Sequence, residues 1–206
     1  MDCMSEIRSI CVYCGSSRGR GDIYMNAGQT LGRAIGEAGL GLIYGGGTKG
    51  IMGAVAAGAR AAGAHVTGII PRFLVNREAS ESSLDGIDTV VITEDMHTRK
   101  HRMFEESDAF VALPGGIGTV EEIIEIMTWA QLGRHRKPIV FANVAGFWEP
   151  MLALLDHMNE EGFIHTSHLV RPLVVDAVEQ VVPNILDAAR AAALPVSGDE
   201  RVIGKM

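Results

Sequence analysis

Short apolar runs alternate with longer amphipathic stretches from one end of the chain to the other. The runs Ile10–Tyr13, Gly41–Tyr44, His65–Ile70, Thr89–Ile92, Ala109–Leu113, Pro138–Phe141 and Leu173–Val175 are brief and end near Gly, Pro or a polar residue, which predicts strands. Between them, Ile23–Ala38, Gly50–Ala62, Glu94–Ser107, Thr119–Leu132, Trp148–Asn159 and Ala177–Ala192 are each long enough for a helix. Strand–helix alternation of this period predicts βαβ units, hence an α/β, doubly wound, mostly parallel sheet with helices on both faces. The strands read as unbroken apolar runs, as expected where helices cover both sides of a sheet. No linker or shift in composition divides the chain, so one domain is expected over residues 1–193. The remaining residues, 194–206, mix Pro, Ser, Gly and charges and are expected to fray. Arg72–Gly86 also breaks the rhythm and is expected to form a loop or short helix at the working edge of the sheet.

Composition narrows the function classes. Of 206 residues, 47% are hydrophobic and 21% charged, enough to bury a full core. The balance of 18 basic against 25 acidic residues gives −7, which is not the footprint of a nucleic-acid or anionic-membrane binder. Any anion must then be held by local geometry. No apolar stretch is long enough for a membrane helix, and the start, Met1–Arg8, has no signal-peptide character. The three cysteines, Cys3, Cys11 and Cys14, make no disulfide framework and fit a cytoplasmic protein. Cys11 and Cys14 have CxxC spacing, but they lie in an apolar run where they face opposite sides of a strand, so packed thiols are expected rather than a metal or redox site.

Glycine changes the outlook most, with 25 residues gathered in clusters. Three expected strands end in small-residue loops: Cys14-Gly-Ser-Ser17, Gly45-Gly-Gly-Thr-Lys-Gly-Ile-Met-Gly53 and Pro114-Gly-Gly-Ile-Gly-Thr119. Ligands of open parallel sheets bind at that edge, where glycine lets backbone N–H groups approach an oxyanion and helix dipoles point at it. Ser16, Gly45, Gly46, Gly47, Gly115, Gly116, Gly118 and Thr119 are therefore candidate substrate contacts. The named nucleotide motifs are absent: there is no GxxxxGK[ST], and Gly116-Ile-Gly118 runs on to Glu121 where GxGxxG needs glycine.

Charge supplies the second signal. On a helix, Met96, Arg99, Lys100 and Met103 share one face, so two cations interrupt an apolar stripe. They either snorkel to solvent or clamp a phosphate or carboxylate. His97 and His101 have helical i, i+4 spacing but lack the carboxylate of HExxH, and no metal is expected. In the next helix Val120, Ile123, Ile124 and Met127 form the expected buried stripe, with Glu121, Glu122 and Glu125 away from it. Thr119-Val-Glu-Glu122 also reads as a capping box. A carboxylate there would repel a phosphate unless it faces another part of the ligand or pairs with a cation such as Arg99, which singles out Glu122.

Tyr44-Gly-Gly-Gly-Thr-Lys-Gly-Ile-Met-Gly53, Met96-His-Thr-Arg-Lys100 and Pro114-Gly-Gly-Ile-Gly-Thr-Val-Glu-Glu122 resemble the signatures of the LONELY GUY (LOG) family of phosphoribohydrolases, long labelled lysine decarboxylases. Ile51, where leucine is commoner, is a small departure. The resemblance implies a Rossmann-like homodimer that needs no cofactor and hydrolyses the N-glycosidic bond of purine nucleoside 5′-monophosphates, often cytokinin nucleotides, with AMP accepted by some relatives. It implies Arg99 and Glu122 as the catalytic pair, with Met96, Lys100, Gly115, Gly116, Gly118, Thr119 and Thr128 at the nucleotide and Glu78 assigned to the base. A different class, a carrier of nucleotide or molybdopterin cofactor without hydrolase activity, uses similar glycine-rich sheets. A pyridoxal-dependent decarboxylase needs a Schiff-base lysine, and none of Lys49, Lys100, Lys137 and Lys205 has that setting.

Overall fold

The strands form because their runs are apolar on both sides. In the computed structural model, which describes residues 7–75, 86–164 and 172–193, seven strands make one parallel sheet. They are β1 (Ser9–Tyr13), β2 (Gly41–Tyr44), β3 (Val66–Pro71), β4 (Thr89–Thr93), β5 (Ala109–Ala112), β6 (Ile139–Ala142) and β7 (Leu173–Val175), in the order β4-β3-β2-β1-β5-β6-β7. Among the described residues, five α-helices lie between strands, α1 (Ile23–Glu37), α2 (Gly50–Ala61), α3 (Met96–Glu105), α4 (Ile117–Gln131) and α5 (Glu149–Glu160), and a sixth, α6 (Val181–Ala193), follows β7. The chain winds outward in both directions from β1, which pairs with β2 on one side (Val12 opposite Tyr44) and β5 on the other (Val12 opposite Val111). The order therefore reverses at β1 and β5, and the loops leaving those two strands diverge to open a crevice.

Alternate residues of each strand feed two separate cores. Ile10, Val12, Leu42, Tyr44, Val66 and Val140 face α1, α2 and α6, where Leu31, Val55 and Ile185 meet them. Cys11, Tyr13, Ile69, Phe110 and Phe141 face the other side, against Met103 of α3, Ile123 and Met127 of α4, and Trp148. Each fully buried Leu, Ile or Phe contributes about 1.5–3 kcal/mol on this count. Cys11 and Cys14 fall on opposite faces of the sheet, and burial pushes the Cys11 thiol up to about 12 and raises that of Cys14 further.

Element boundaries differ from expectation where a local group intervenes. The helix expected from Glu94 begins at Met96, because the Asp95 carboxylate accepts a hydrogen bond from the Thr98 N–H (2.7 Å) and so caps it. The helix expected from Thr119 begins two residues earlier, at Ile117. The segment expected as one helix from Ala177 divides into a 3-10 turn, Val178–Gln180, and α6. Of the irregular Arg72–Gly86 segment, Arg72–Leu74 is a 3-10 turn; residues 76–85, with Glu78, and the tail 194–206 lie outside the described residues.

The contact between α1 and α2 is the closest helix packing that glycine makes possible here. A Cβ on Gly32 would lie 2.1 Å from the Val55 carbonyl oxygen, and one on Gly58 would lie 2.2 Å from that of Gln29. Neither acceptor is a flexible side-chain end, so the helices would have to part. Gly32→Ala should lower the unfolding free energy by about 1–3 kcal/mol despite its better helix propensity. An unchanged midpoint in urea unfolding would contradict that packing.

Candidate functional site

The loops at the carboxyl ends of the strands are sewn to one another through backbone. The Gly15 N–H donates to the Pro114 carbonyl (3.1 Å), and the Met52 N–H donates to that of Gly15 (3.3 Å). The loops after β1 and β5 thus touch at the switch point, with the start of α2 held against the loop after β1. Gly50 has φ +56°, and a Cβ there would lie 2.4 Å from the Ser16 carbonyl oxygen, so conformation and space both demand glycine. Ser16 itself is exposed.

The glycines of the second loop serve the interior. Gly45, Gly46 and Gly47 are buried, and Cβ atoms on them would meet the Arg99 guanidinium, Ile70 (3.0 Å) and Met52 Sδ (2.7 Å). The third loop is different. Gly116 and Gly118 are exposed, neither has positive φ, and a Cβ on either would meet nothing within 4 Å. Protein packing does not require glycine there. What it preserves is close access from outside to the first N–H groups of α4, whose N-cap, Gly116, offers no capping side chain.

That helix start corrects two expectations. Gly116, with extended φ/ψ, takes the N-cap position, so Thr119 lies inside the first turn and the capping box does not form. Thr119 is instead turned inward, buried beneath Gly115. The buried face of α4 is Thr119, Glu122, Ile123, Ile126, Met127 and Ala130, while Val120 and Ile124 are half-buried. Glu122 thus belongs to the buried face.

Its partner is Arg99, which does not snorkel. Arg99 is 4% exposed and Glu122 6%, with Nη1 and Oε1 3.6 Å apart. The guanidinium also donates from Nε to the Ile69 carbonyl (3.1 Å) and from Nη2 to the Gly45 carbonyl (3.4 Å), and Nη1 lies 3.7 Å from Met96 Sδ. One side chain from α3 therefore joins β3 and the loop after β2 to α4. Removing one partner of a buried ion pair typically costs about 3–5 kcal/mol, because the remaining charge is left uncompensated.

Lys100 turns to the other carboxylates of α4. Its Nζ is 2.5 Å from Glu121 Oε1 and 3.2 Å from the Glu125 carboxylate. Thr128 is exposed, its hydroxyl donates to the Ile124 carbonyl (2.8 Å), and nine residues of helix put it about 14 Å beyond Thr119. The structure thus brings Arg99, Glu122, Met96, Gly45 and Lys100 into one cluster beside the start of α4, and leaves Thr128 down the helix. The anchoring carbonyls of Ile69 and Gly45 carry no sequence signal. The Glu121–Glu125 spacing opposite a lysine was a signal that the helical pattern did contain. Among the described residues no His/Cys/Asp/Glu group could hold a metal, and no helix is long and apolar enough to cross a membrane.

Residues 52–185 match the family model described as "Possible lysine decarboxylase". Over 173 residues the chain is 44% identical to the Arabidopsis thaliana protein named cytokinin riboside 5′-monophosphate phosphoribohydrolase LOG3, covering 84% of this chain and 78% of that one. The chain belongs to the LOG family. A rice (Oryza sativa subsp. japonica) relative named probable cytokinin riboside 5′-monophosphate phosphoribohydrolase LOGL2 is 45% identical across 79% of this chain, which spans 66% of that relative's length. Among solved structures, the molybdenum cofactor carrier protein of Chlamydomonas reinhardtii superposes with TM-score 0.67 at 19% identity, over 90% of this chain and 99% of that one. The molybdenum cofactor binding protein of Rippkaea orientalis gives 0.64 at 21%, over 88% and 97%. At such identities the likeness to the carriers is one of fold. The family model's description does not fit the described lysines: Lys49 is exposed at the N-cap of α2, Lys100 is ion-paired, and Lys137 donates to the Phe104 carbonyl (2.7 Å) with its Nζ 4.1 Å from that ring's centre.

The two kinds of loop glycine separate in a stability measurement. Gly118→Ala should leave the protein as stable or raise stability by up to about 1 kcal/mol, since alanine is the better helix former. Gly50→Ala should lower it by more than about 1 kcal/mol. Equal thermal shifts for both would contradict the distinction.

Proposed function

We propose that the chain hydrolyses purine nucleoside 5′-monophosphates, N6-substituted adenine nucleotides and AMP among them, to free base and ribose 5-phosphate. The observation that carries the reading is the buried Arg99–Glu122 pair lying one turn into a helix whose glycine-flanked N-terminus is open to an anion. The names of the relatives at 44–45% identity support the same chemistry.

The 5′-phosphate would sit on the N–H groups at the start of α4, where the helix dipole favours negative charge. Glu122 lies three residues beyond Thr119, about 4.5 Å along the axis, so a phosphate at the helix start places the ribose over the carboxylate. As the C1′–N bond breaks, positive charge develops on the ring oxygen and C1′, and Glu122 stabilises it through the ribose or orients the attacking water. Water adds its oxygen to C1′, and the base leaves carrying one proton in net. Arg99, fixed by the Ile69 and Gly45 carbonyls, holds the carboxylate in place. Binding energy from the phosphate orients the sugar for this step.

We read the protein further as a cytoplasmic homodimer built on a single domain. Buried, reduced thiols fit that compartment, and the exposed Leu154 and Met158 of α5 offer an apolar face. Sedimentation of a 22.0 kDa species at micromolar concentration would contradict the dimer.

Chromatography of free base after incubation with AMP, N6-isopentenyladenosine monophosphate and adenosine tests the main reading. Base should appear from a monophosphate and not from adenosine. Glu122→Gln should lower kcat at least about 100-fold, some 2.7 kcal/mol of barrier, while nucleotide is still bound. Tight retention of nucleotide by the wild type with no base released would favour a carrier instead.

A further inference from the structure

The Arg99 guanidinium commits two of its nitrogens to backbone. Nε donates to the Ile69 carbonyl (3.1 Å) and Nη2 to the Gly45 carbonyl (3.4 Å). Nη1 is the one turned to side chains. It lies 3.6 Å from the Glu122 carboxylate and 3.7 Å from the Met96 sulfur, so a carboxylate and a thioether share it. Met96 stands one turn before Arg99 on the same face of α3, which brings its sulfur there. A thioether is a weak acceptor and leaves the stronger claim on Nη1 to Glu122. Met96 is half-buried at the start of its helix, whereas Met52, Met103 and Met127 are buried. Cys11 and Cys14 are no competing target for an oxidant. Both are buried, and burial pushes the Cys11 thiol up to about 12 and raises that of Cys14 further.

We propose that Met96 is a modification site through which peroxides turn this site down: once it is oxidised, the sulfoxide oxygen draws Nη1 of Arg99 away from Glu122. In that step a lone pair of the sulfur attacks one oxygen of hydrogen peroxide and the O–O bond breaks. Sulfur is oxidised by two electrons to the sulfoxide, and the other oxygen is reduced and leaves as water after proton transfer. A strong acceptor then stands where a weak one stood, and a guanidinium donates to it in a charge-assisted hydrogen bond. Nε and Nη2 are held by backbone, so the change falls on Nη1. Glu122 has interactions besides Arg99, so its carboxylate is turned rather than freed. Methionine sulfoxide reductases regenerate the thioether, which makes the modification reversible. For its effect on turnover the proposal rests on the phosphoribohydrolase reading of the site.

The test exposes wild type, Met96→Leu and Met25→Leu to hydrogen peroxide and maps sulfoxides by peptide mass spectrometry. Base release from a nucleoside monophosphate is compared with that of each protein before exposure. Met25 is the control, half-buried like Met96 but on the α1 side of the sheet. Wild type and Met25→Leu should lose about tenfold or more in kcat in step with sulfoxide at residue 96, with KM within about twofold, while Met96→Leu keeps more than about half of its own kcat. Methionine sulfoxide reductase supplied with dithiothreitol should restore the wild type, and dithiothreitol alone should not. Equal fractional losses in all three proteins would overturn the proposal. So would full sulfoxide at residue 96 with kcat unchanged, a loss confined to KM, or oxidation of Met25 with residue 96 untouched. If the unexposed wild type releases no base, the functional reading fails on its own, and the modification is decided by thermal unfolding. A fall in Tm on oxidation that Met96→Leu escapes then supports it, and equal shifts contradict it.

Discussion

A guanidinium that is 4% exposed must find its hydrogen bonds and its countercharge inside the protein, and Arg99 finds them on three different elements. The Ile69 carbonyl lies within β3, the Gly45 carbonyl follows β2, and Glu122 comes from α4. Much of the surrounding sequence is explained by leaving room for that one side chain. Gly45 has no Cβ because Arg99 occupies its place. Gly46, at φ +74°, folds over Gly68 in the middle of β3, where a Cβ would come within 3.0 Å of the Gly46 Cα. The loop after β2 therefore acts as a seat for Arg99, while the loop after β5 meets solvent at Gly116–Gly118.

The parallel sheet makes this arrangement possible. Reversal of the strand order at β1 and β5 gathers the loops after β1, β2 and β5 along one edge, with the starts of α2 and α4 pointing at it. The backbone bond from Gly15 to Pro114 fixes their spacing, and the indole of Trp148 donates to the Ala112 carbonyl (3.1 Å) just before the β5 loop. The helices on the other face, α1 and α2, pack so closely around Gly32 and Gly58 that the start of α2 has little freedom. Helices and strands thus hold Arg99 and Glu122, while the glycine-rich tip of the third loop is open.

Much of this was legible in the amino-acid pattern, because strands covered on both faces must be apolar throughout and helices must be amphipathic. All seven strands and all six helices stand where the hydrophobic runs placed them. The errors came from single polar groups that periodicity does not weigh. Asp95 caps α3 two residues late, while α4 opens two residues early at the glycine Gly116, and Thr119 and Glu122 share its buried face with Ile123 and Ile126. Glycine was the least transparent residue, since its runs look alike whether they yield to Arg99, as at Gly45, or leave a helix N-terminus uncovered, as at Gly118. Arg99 and Glu122 were visible as charges near apolar stripes, yet their backbone anchors were not, because a carbonyl has no letter of its own. Lys100 pairs with Glu121 and Glu125, carboxylates one turn apart on the following helix.

On the proposed function, the α4 N-terminus holds the phosphate and the Arg99–Glu122 pair addresses the sugar. A crystal structure of Glu122→Gln with a bound nucleoside 5′-monophosphate tests it most directly. Phosphate oxygens should lie within roughly 2.7–3.2 Å of backbone nitrogens between Gly116 and Thr119, with the anomeric carbon over residue 122. A phosphate that makes no contact with these nitrogens, or a nucleotide bound away from this edge of the sheet, would contradict it.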